Sequence, residues 1–328
     1  MTHLTFAEAI IVGLIQGTTE LFPVSSLGHN VLIPAIVGGS WAQDLNVAKA
    51  ESPYLAFVVG LHVATAIGIT VYFWRDWIRI VGGFFTSIAR RELRTSDQKL
   101  AWMIVLATIP VGLVGLVFEH QFRVIFGVPS RAAIFLVVNG VILYAGERFR
   151  TRKSREADQQ VMREREDEAA LVPARAGGAH SSGQRALRQQ EIMTAVQADR
   201  RITSFSFWQA ILIGSAQVLA LLAGISRDGV TMVAGMFRGL SREDAARFAF
   251  LLATPVILAA GVLKIPDLLG HLGNGIRPQI LAGSVVSGVA AYLSVRFLMK
   301  YFQTRTLTPF AVYCFVAGMA SLIYLTVK

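Results

Sequence analysis

The sequence predicts an all-α polytopic membrane protein with an inverted-topology repeat, about six transmembrane helices and two re-entrant helical hairpins. Three observations predict this class: the composition, a set of long apolar runs and an internal repeat. Hydrophobic residues make up 54% of the 328 residues, and charged residues only 16%. The charged fraction lies below the roughly 25% that is usual in soluble domains, so the composition favours membrane spans.

Six apolar runs are each close to the roughly 20 helical residues that are needed to cross a bilayer core. Three lie in the first half of the chain and three in the second half. They cover approximately residues 53–74, 100–118, 131–147, 244–263, 278–298 and 309–327. The sequence therefore predicts six spans in two sets of three.

Two further apolar regions are interrupted by polar residues. Residues 6–37 contain the break from Gln16 to His29, and residues 207–240 contain the break from Ala223 to Gly229. Irregular backbone at membrane depth is tolerated only where it is buried in protein or lines a wet cavity. Each region is therefore predicted to be a re-entrant hairpin: a helix, a polar turn and a second short helix.

The two hairpins repeat each other. Residues 6–16 align with residues 207–217 at an offset of 201, and the alignment pairs Phe, Ala, Ile, Gly and Gln with identical residues. At the same offset, Ser25 falls on Ser226 and Ser26 falls on Arg227. Because three spans separate the hairpins, the second copy is predicted to be inverted, which places a site at mid-membrane between two broken helices.

The charge distribution predicts the topology. Arginine and lysine cluster in residues 75–99, 148–155 and 238–247, all on one side of a six-span arrangement. The positive-inside rule assigns that side to the cytoplasm, with both termini and the mouth of the first hairpin outside. The net charge of +10 fits this pattern better than nucleic-acid binding. The only cysteine excludes a disulfide framework or a thiolate metal cluster.

Three regions follow from this organisation. Residues 1–150 form the first membrane repeat, residues 151–203 a basic cytoplasmic linker, and residues 204–328 the second membrane repeat. Composition predicts a flexible, solvated linker in which residues 155–170 form a charged helix. The alternative is a patch that binds a partner or lipid headgroups.

The first hairpin carries four candidate site residues. Gln16 and Glu20 are spaced i, i+4 and share a helix face, and a carboxylate in apolar sequence is a functional hypothesis by default. Ser26 and His29, spaced i, i+3, could supply a nucleophile and its base. The alternatives are a solvated helix end at Glu20, a serine that only caps a helix, and a structural histidine.

The second hairpin has the composition of an anion-binding turn. Gly224 and Gly229 allow backbone amides to approach a ligand, and Ser226 and Thr231 add hydroxyl groups. Arg227 adds a planar guanidinium that matches phosphate oxygens, at the start of a short helix whose positive end also favours an anion.

The alternative for Arg227 is a purely structural ion pair with Glu20 or Asp228. If Arg227 binds an anion, the second hairpin is a phosphate cradle that faces the glutamate, serine and histidine of the first. A lipid phosphate or diphosphate satisfies both this chemistry and the membrane location.

These motifs resemble the bacterial undecaprenyl-diphosphate phosphatase family, also called the bacitracin-resistance protein family. The first family motif is similar to Gln16-Gly-Thr-Thr-Glu20 followed by Pro23-Val-Ser-Ser-Leu-Gly-His29. The second is similar to Ala223-Gly-Ile-Ser-Arg-Asp-Gly-Val-Thr231. The resemblance covers nearly the whole chain apart from residues 151–201.

The resemblance implies an enzyme of the bacterial plasma membrane that removes the terminal phosphate of undecaprenyl diphosphate at a site open to the outer face. It implies Glu20 as a catalytic residue that, together with Gln16, binds a divalent cation, Mg²⁺ or Ca²⁺, or orients water. It implies Ser26 as nucleophile and His29 as acid and base, or a direct attack by water. The implied substrate-binding residues are Ser25, Gly224, Ser226, Arg227, Gly229 and Thr231.

The sequence departs from the family pattern at three positions. Gln16 replaces a common glutamate, Ala223 replaces proline, and Asp228 replaces serine beside the arginine. A carboxylate at that position should repel a diphosphate unless it binds a cation or pairs with Arg227. Two other function classes stay open: a transporter that uses the same inverted repeats to carry a lipid phosphate or anion, and a non-catalytic partner in envelope assembly, which the Asp228 change would allow. A homodimer is also possible.

Overall fold

The computed structural model describes residues 4–45, 53–126, 128–171, 194–269 and 275–327. The helices of the first half are α1 (Phe6–Thr19), α2 (Ser26–Val37), α3 (Gly39–Asp44), α4 (Pro53–Tyr72), α5 (Trp74–Arg90), α6 (Ser96–Phe126), α7 (Pro129–Arg148) and α8 (Arg152–Leu171). Those of the second half are α9 (Thr194–Thr203), α10 (Phe207–Ser215), α11 (Arg227–Phe237), α12 (Arg242–Leu269), α13 (Arg277–Tyr301) and α14 (Thr308–Val327). A 3₁₀ helix, Ala216–Leu221, continues α10.

The prediction of a polytopic all-α membrane protein is confirmed. Among the described residues, five helices are long and apolar enough to cross a membrane: α6, α7, α12, α13 and α14. The sixth predicted span, α4, meets this criterion only together with α5, from which it is bent by 88°. A second bend, of 94°, separates α9 from the segment Phe207–Leu221.

The helix starts of the two hairpins correspond at the offset of 201 residues. Thr5 and Ser206 each form a capping box with the residue three positions later, at the starts of α1 and α10. Ser25 and Ser226 cap α2 and α11, and their hydroxyls accept hydrogen bonds from the backbone N–H groups three positions on, at 3.2 and 3.1 Å. A cap depends on local sequence, so a sequence repeat gives a repeated cap.

Each hairpin packs against the opposite half of the chain. Helix α1 lies along α13, α10 lies along α6, and α7 lies along α14. This exchange of partners agrees with a pseudo-twofold relation between the halves. The inverted direction of the repeats, like the assignment of the two membrane sides, stays a prediction.

The hairpin helices approach their partners at glycines that correspond in the repeat. A Cβ added to Gly13 would lie 2.4 Å from the carbonyl oxygen of Gly283. A Cβ added to Gly214 would lie 2.1 Å from the carbonyl oxygen of Ala107. Both contacts are with backbone, which cannot move aside as a flexible side chain can, and small residues at such crossings are common in membrane helix pairs.

The substitution Gly214→Ala should therefore destabilise the protein by about 1–3 kcal/mol, the usual cost of overpacking. The matched control is Gly112→Ala in α6, where an added Cβ meets nothing within 4 Å. Thermal unfolding in detergent should give a lower Tm for the first variant and an unchanged or higher Tm for the second, since alanine favours a helix. Equal Tm values would contradict the close crossing.

The described parts of the predicted linker are helices that pack against the second repeat. The Ser154 hydroxyl donates a 2.6 Å hydrogen bond to the carbonyl of Leu240. The Arg201 guanidinium binds both carboxylate oxygens of Asp244, at 2.8 and 2.9 Å. The charged helix expected at 155–170 is present within α8. The prediction of flexibility otherwise concerns residues 172–193, which lie outside the described residues.

A buried ion-pair network joins two of the basic clusters, residues 75–99 of the first half and residues 238–247 of the second. The Arg247 guanidinium, in α12, lies 3.0 Å from Asp76 and 2.9 Å from Asp199. The Arg79 guanidinium, in α5, also contacts both carboxylates, at 2.6 and 2.8 Å. Two arginines shared between two carboxylates satisfy charges that would otherwise be costly to bury.

Candidate active site

Glu20 is the centre of the polar cluster between the two hairpins. It follows α1, and its carboxylate accepts hydrogen bonds from Nη2 of Arg227 at 2.6 Å and from Nε2 of Gln16 at 2.9 Å. The Ser26 hydroxyl donates to the same carboxylate. Nε2 of His62, on α4, lies 3.4 Å away. The solvated-helix-end alternative for Glu20 does not match this position, because the residue is only 9% exposed.

Gln16 is held on both sides of its amide group. Its NH₂ group donates to Glu20, and its oxygen accepts a 2.6 Å hydrogen bond from the side chain of Asn30. Gln16 and Asn30 are both buried. As a ligand for a cation, Gln16 would therefore first have to release Asn30. The motif gave no signal for Asn30, which directly follows the histidine.

The turns of the two hairpins touch at Ser25. Its hydroxyl accepts hydrogen bonds from the backbone N–H groups of Gly28 and Gly224, each at 3.2 Å. Ser25 has a φ of 69°, which is strained for a serine, and Gly224 has a φ of 111°. A Cβ on Gly224 would also lie 2.4 Å from the carbonyl oxygen of Ala132. Glycine is therefore required there by both conformation and space.

Asn139, on α7, joins the turns a second time. Its side-chain NH₂ donates to the carbonyl of Pro23 at 3.0 Å, and its oxygen accepts from the backbone N–H of Ser226 at 3.0 Å. Asn139 is fully buried. Sequence reasoning missed this residue, although a polar side chain within an apolar span was a usable signal.

His29 does not contact Ser26 through a hydrogen bond. Its Nδ1 lies 2.7 Å from the carbonyl oxygen of Ser25, and its Nε2 lies 2.7 Å from the hydroxyl of Tyr313, on α14. Because a carbonyl only accepts, Nδ1 carries a proton, and when the ring is neutral the Tyr313 hydroxyl donates to Nε2. The two rings also stack, with centroids 5.7 Å apart. The carboxylate of Glu20, not the imidazole, is the base that Ser26 contacts.

The arginine predicted to bind phosphate lies at the start of α11. Arg227 binds Glu20 through Nη2, while its Nε makes no hydrogen bond within the described residues. The Asp228 carboxylate lies 3.7 Å from that Nε and is fully buried. In the described part of the chain, neither oxygen of Asp228 has a hydrogen-bond partner. Both ion pairs that were the alternative for Arg227, with Glu20 and with Asp228, are thus present, but the pair with Asp228 includes no hydrogen bond.

Two further predicted substrate-binding residues, Ser226 and Thr231, use their hydroxyls in hydrogen bonds to the backbone of α11. The Thr231 hydroxyl donates to the carbonyl of Arg227 at 2.7 Å. The Ser226 hydroxyl caps the helix by accepting from the N–H of Gly229 at 3.1 Å. These contacts fix the position of Arg227 and direct the positive end of α11 towards the cluster.

The carboxylates suit a divalent cation that is bound together with a phosphate ligand. Among the described residues, no group of three His, Cys, Asp or Glu side chains could hold a metal by itself. Glu20 and the unsatisfied Asp228 nevertheless flank Arg227, at 2.6 and 3.7 Å. One or two carboxylates plus substrate phosphates are the usual protein environment of Mg²⁺.

The fold and the site define an integral membrane protein that brings an arginine, carboxylates and a hydroxyl together where two broken hairpins meet. Comparison with known proteins identifies the family. The chain belongs to the bacitracin resistance protein BacA family, whose sequence model matches residues 9–172 and 181–320.

Similar proteins are named as undecaprenyl-diphosphatases. Proteins named undecaprenyl-diphosphatase from Mycolicibacterium paratuberculosis and Mycobacterium avium are each 56% identical over 326 residues, which cover 99% of this chain and 99% of theirs. A protein from Frankia alni named undecaprenyl-diphosphatase 2 is 52% identical and covers 97% of each chain.

Proposed function

We propose that the protein is an undecaprenyl-diphosphatase, which hydrolyses undecaprenyl diphosphate to undecaprenyl phosphate and inorganic phosphate. The observation that carries the proposal is the contact of Glu20 with both Arg227 and Ser26. This contact brings together a guanidinium that suits phosphate oxygens, a carboxylate that can act as a base, and a hydroxyl. Relatives that are 56% identical over 99% of the chain are named undecaprenyl-diphosphatase, which supports the same substrate.

In this proposal Arg227 exchanges its contact with Glu20 for oxygens of the diphosphate. The freed Glu20 carboxylate takes the proton of the Ser26 hydroxyl, and Oγ attacks the terminal phosphorus while the bond to the bridging oxygen breaks. Undecaprenyl phosphate leaves. Water then attacks the phosphoserine, Glu20 returns its proton to Oγ of Ser26 as the P–O bond breaks, and the protons of the water leave with the inorganic phosphate. A water molecule activated at Glu20 could attack directly with the same overall balance.

A bound Mg²⁺ or Ca²⁺ would neutralise the negative charge on the diphosphate and on the leaving phosphate. Glu20 and Asp228 are the residues proposed to hold it, with Gln16 as a further candidate. His29 and Tyr313 would move a proton between the site and its surroundings, because their hydrogen bond connects α2, the helix that begins at Ser26, with α14. We further propose the bacterial plasma membrane as the location, with the site open to the outer face.

The test is phosphate release from a polyprenyl diphosphate by the purified protein in detergent with Mg²⁺ or Ca²⁺. We expect release by the wild type and a severe loss in Ser26→Ala, His29→Ala and Arg227→Ala. Full activity in all three variants would refute the site. No release by the wild type with either cation would refute the hydrolase proposal and favour transport of a lipid phosphate.

The substitution Asp228→Ser should raise the Mg²⁺ concentration that gives half-maximal activity by about 10-fold, a typical cost of removing a group that supports a metal. The reason is the loss of one of two carboxylates that flank Arg227. The control is Asp167→Ser, which removes an exposed carboxylate from α8. An unchanged Mg²⁺ requirement in Asp228→Ser would exclude Asp228 as a cation ligand.

The substitution Tyr313→Phe should lower kcat by about 10-fold, the equivalent of one lost hydrogen bond to a functional group. It removes only the hydroxyl that contacts Nε2 of His29 and should also shift the pH profile of kcat. The control is Tyr324→Phe, on the same helix, where the lost hydroxyl donates to the carbonyl of Ile36 at 3.2 Å. Equal kcat values and pH profiles in the two variants would remove Tyr313 from the proposed proton path.

A further inference from the structure

A cavity of about 320 Å³ opens at the C-terminal end of α7. Asn139, which joins the two hairpin turns, lies nearer the middle of the same helix. The cavity lies where α7 ends, α8 begins and α14 begins. The side chains that line it are Tyr144, Glu147, Arg148, Arg150, Arg155 and Thr308. None of these residues belongs to the candidate active site.

The cavity carries positive charge that the protein does not neutralise. Glu147 is its one acidic residue, and it already forms ion pairs with Arg150 and Arg242. Arg148 and Arg155 have no ion pair with any carboxylate in the described ranges. Two guanidinium groups are therefore free to bind an anion, and the positive end of α14 at Thr308 adds to their field.

The surface beside the cavity is apolar and exposed. Val141 and Tyr144 on α7 are each 54% exposed, and Phe149, just past its end, is 70% exposed. Val312 on α14 is 56% exposed. Because α7 and α14 qualify as membrane spans by length and composition, these side chains are expected to face lipid chains, and the cavity at the ends of the two helices is expected at the level of the headgroups.

We propose that this cavity binds the headgroup phosphate of an anionic membrane phospholipid, whose acyl chains lie along the exposed faces of α7 and α14. Arg148 and Arg155 bind the phosphate oxygens. Tyr144 lies at the boundary between the basic cavity and the apolar faces of the helices, and aromatic rings with a polar end are favoured at such a boundary. Basic pockets between transmembrane helices on the cytoplasmic side have this ligand chemistry. The site is independent of the hydrolase proposal.

The test compares two double variants with the same change in charge. Arg148→Gln/Arg155→Gln removes the two free guanidinium groups. Arg152→Gln/Arg163→Gln is the control, since Arg152 binds Glu156 at the surface and Arg163 is exposed. Native mass spectrometry of each full-length protein in detergent, titrated with phosphatidylglycerol, measures the affinity. Thermal unfolding of both variants checks that they fold.

We expect phosphatidylglycerol to bind the cavity variant about 30-fold more weakly than the wild type, on the usual contribution of each basic residue near an anionic lipid. The control variant should bind as the wild type does. Equal binding by the two variants would refute the site. Equal affinity of the wild type for phosphatidylcholine would refute the recognition of an anionic lipid. Equal affinity for inorganic phosphate would mean that the ligand of the cavity is a free anion and would refute the lipid proposal.

Discussion

The substitution Arg227→Lys should lower kcat/KM for a polyprenyl diphosphate by about 10²- to 10³-fold, the cost of removing one preorganised donor to developing charge. Arg227 is half-buried between Glu20 and Asp228, with Nη2 2.6 Å from one carboxylate and Nε 3.7 Å from the other. A planar guanidinium can contact phosphate oxygens while Nε still faces Asp228. The compact ammonium of lysine cannot contact the phosphate oxygens and face Asp228 at the same time.

The control for this prediction is Arg296→Lys, on the exposed side of α13. Both variants keep the net charge, so a difference between them reports the geometry of Arg227. Phosphate release at several substrate concentrations gives kcat and KM separately. A loss of less than about threefold in Arg227→Lys would mean that position 227 supplies only charge, and the proposed contact of the planar guanidinium with the phosphate oxygens would be wrong.

Local sequence was sufficient to predict the frame around Arg227. The repeat at an offset of 201 residues aligned Ser25 with Ser226, and the structure has a capping serine at both positions. A helix cap involves a side chain and backbone N–H groups only a few residues away. The polar breaks in apolar sequence were equally readable, since hydrocarbon tolerates irregular backbone only inside protein.

Contacts between spans were not predictable in the same way. The i, i+3 spacing suggested that His29 acts on Ser26, but the imidazole turns back to the carbonyl of Ser25 and meets Tyr313 from α14. Asn139 likewise joins both turns from α7. Which side chains meet across two helices depends on their packing, and no periodicity within either helix encodes that partner.

The substitution Glu20→Gln should lower kcat by about 10²- to 10⁴-fold, the range of a lost general base. Glutamine keeps the size of the side chain but cannot take the proton of Ser26. It also removes the carboxylate charge that lies 2.6 Å from the Arg227 guanidinium, which leaves Asp228 at 3.7 Å as its ion-pair partner among the described residues. The matched control is Glu156→Gln, which removes an exposed carboxylate that pairs with Arg152. Activity close to wild type in Glu20→Gln would remove the base from the proposed mechanism.

The double variant Glu20→Gln/Ser26→Ala separates the two possible nucleophiles. If Glu20 acts by taking the proton of Ser26, either substitution alone removes that step, so the double variant should be no slower than the slower single variant. If Glu20 activates water, the losses should multiply, because the serine then contributes only a separate binding contact. Trapping of a phosphoserine in the wild type would agree with the first outcome. Multiplying losses without a trapped intermediate would mean that water attacks directly, with Glu20 as its base.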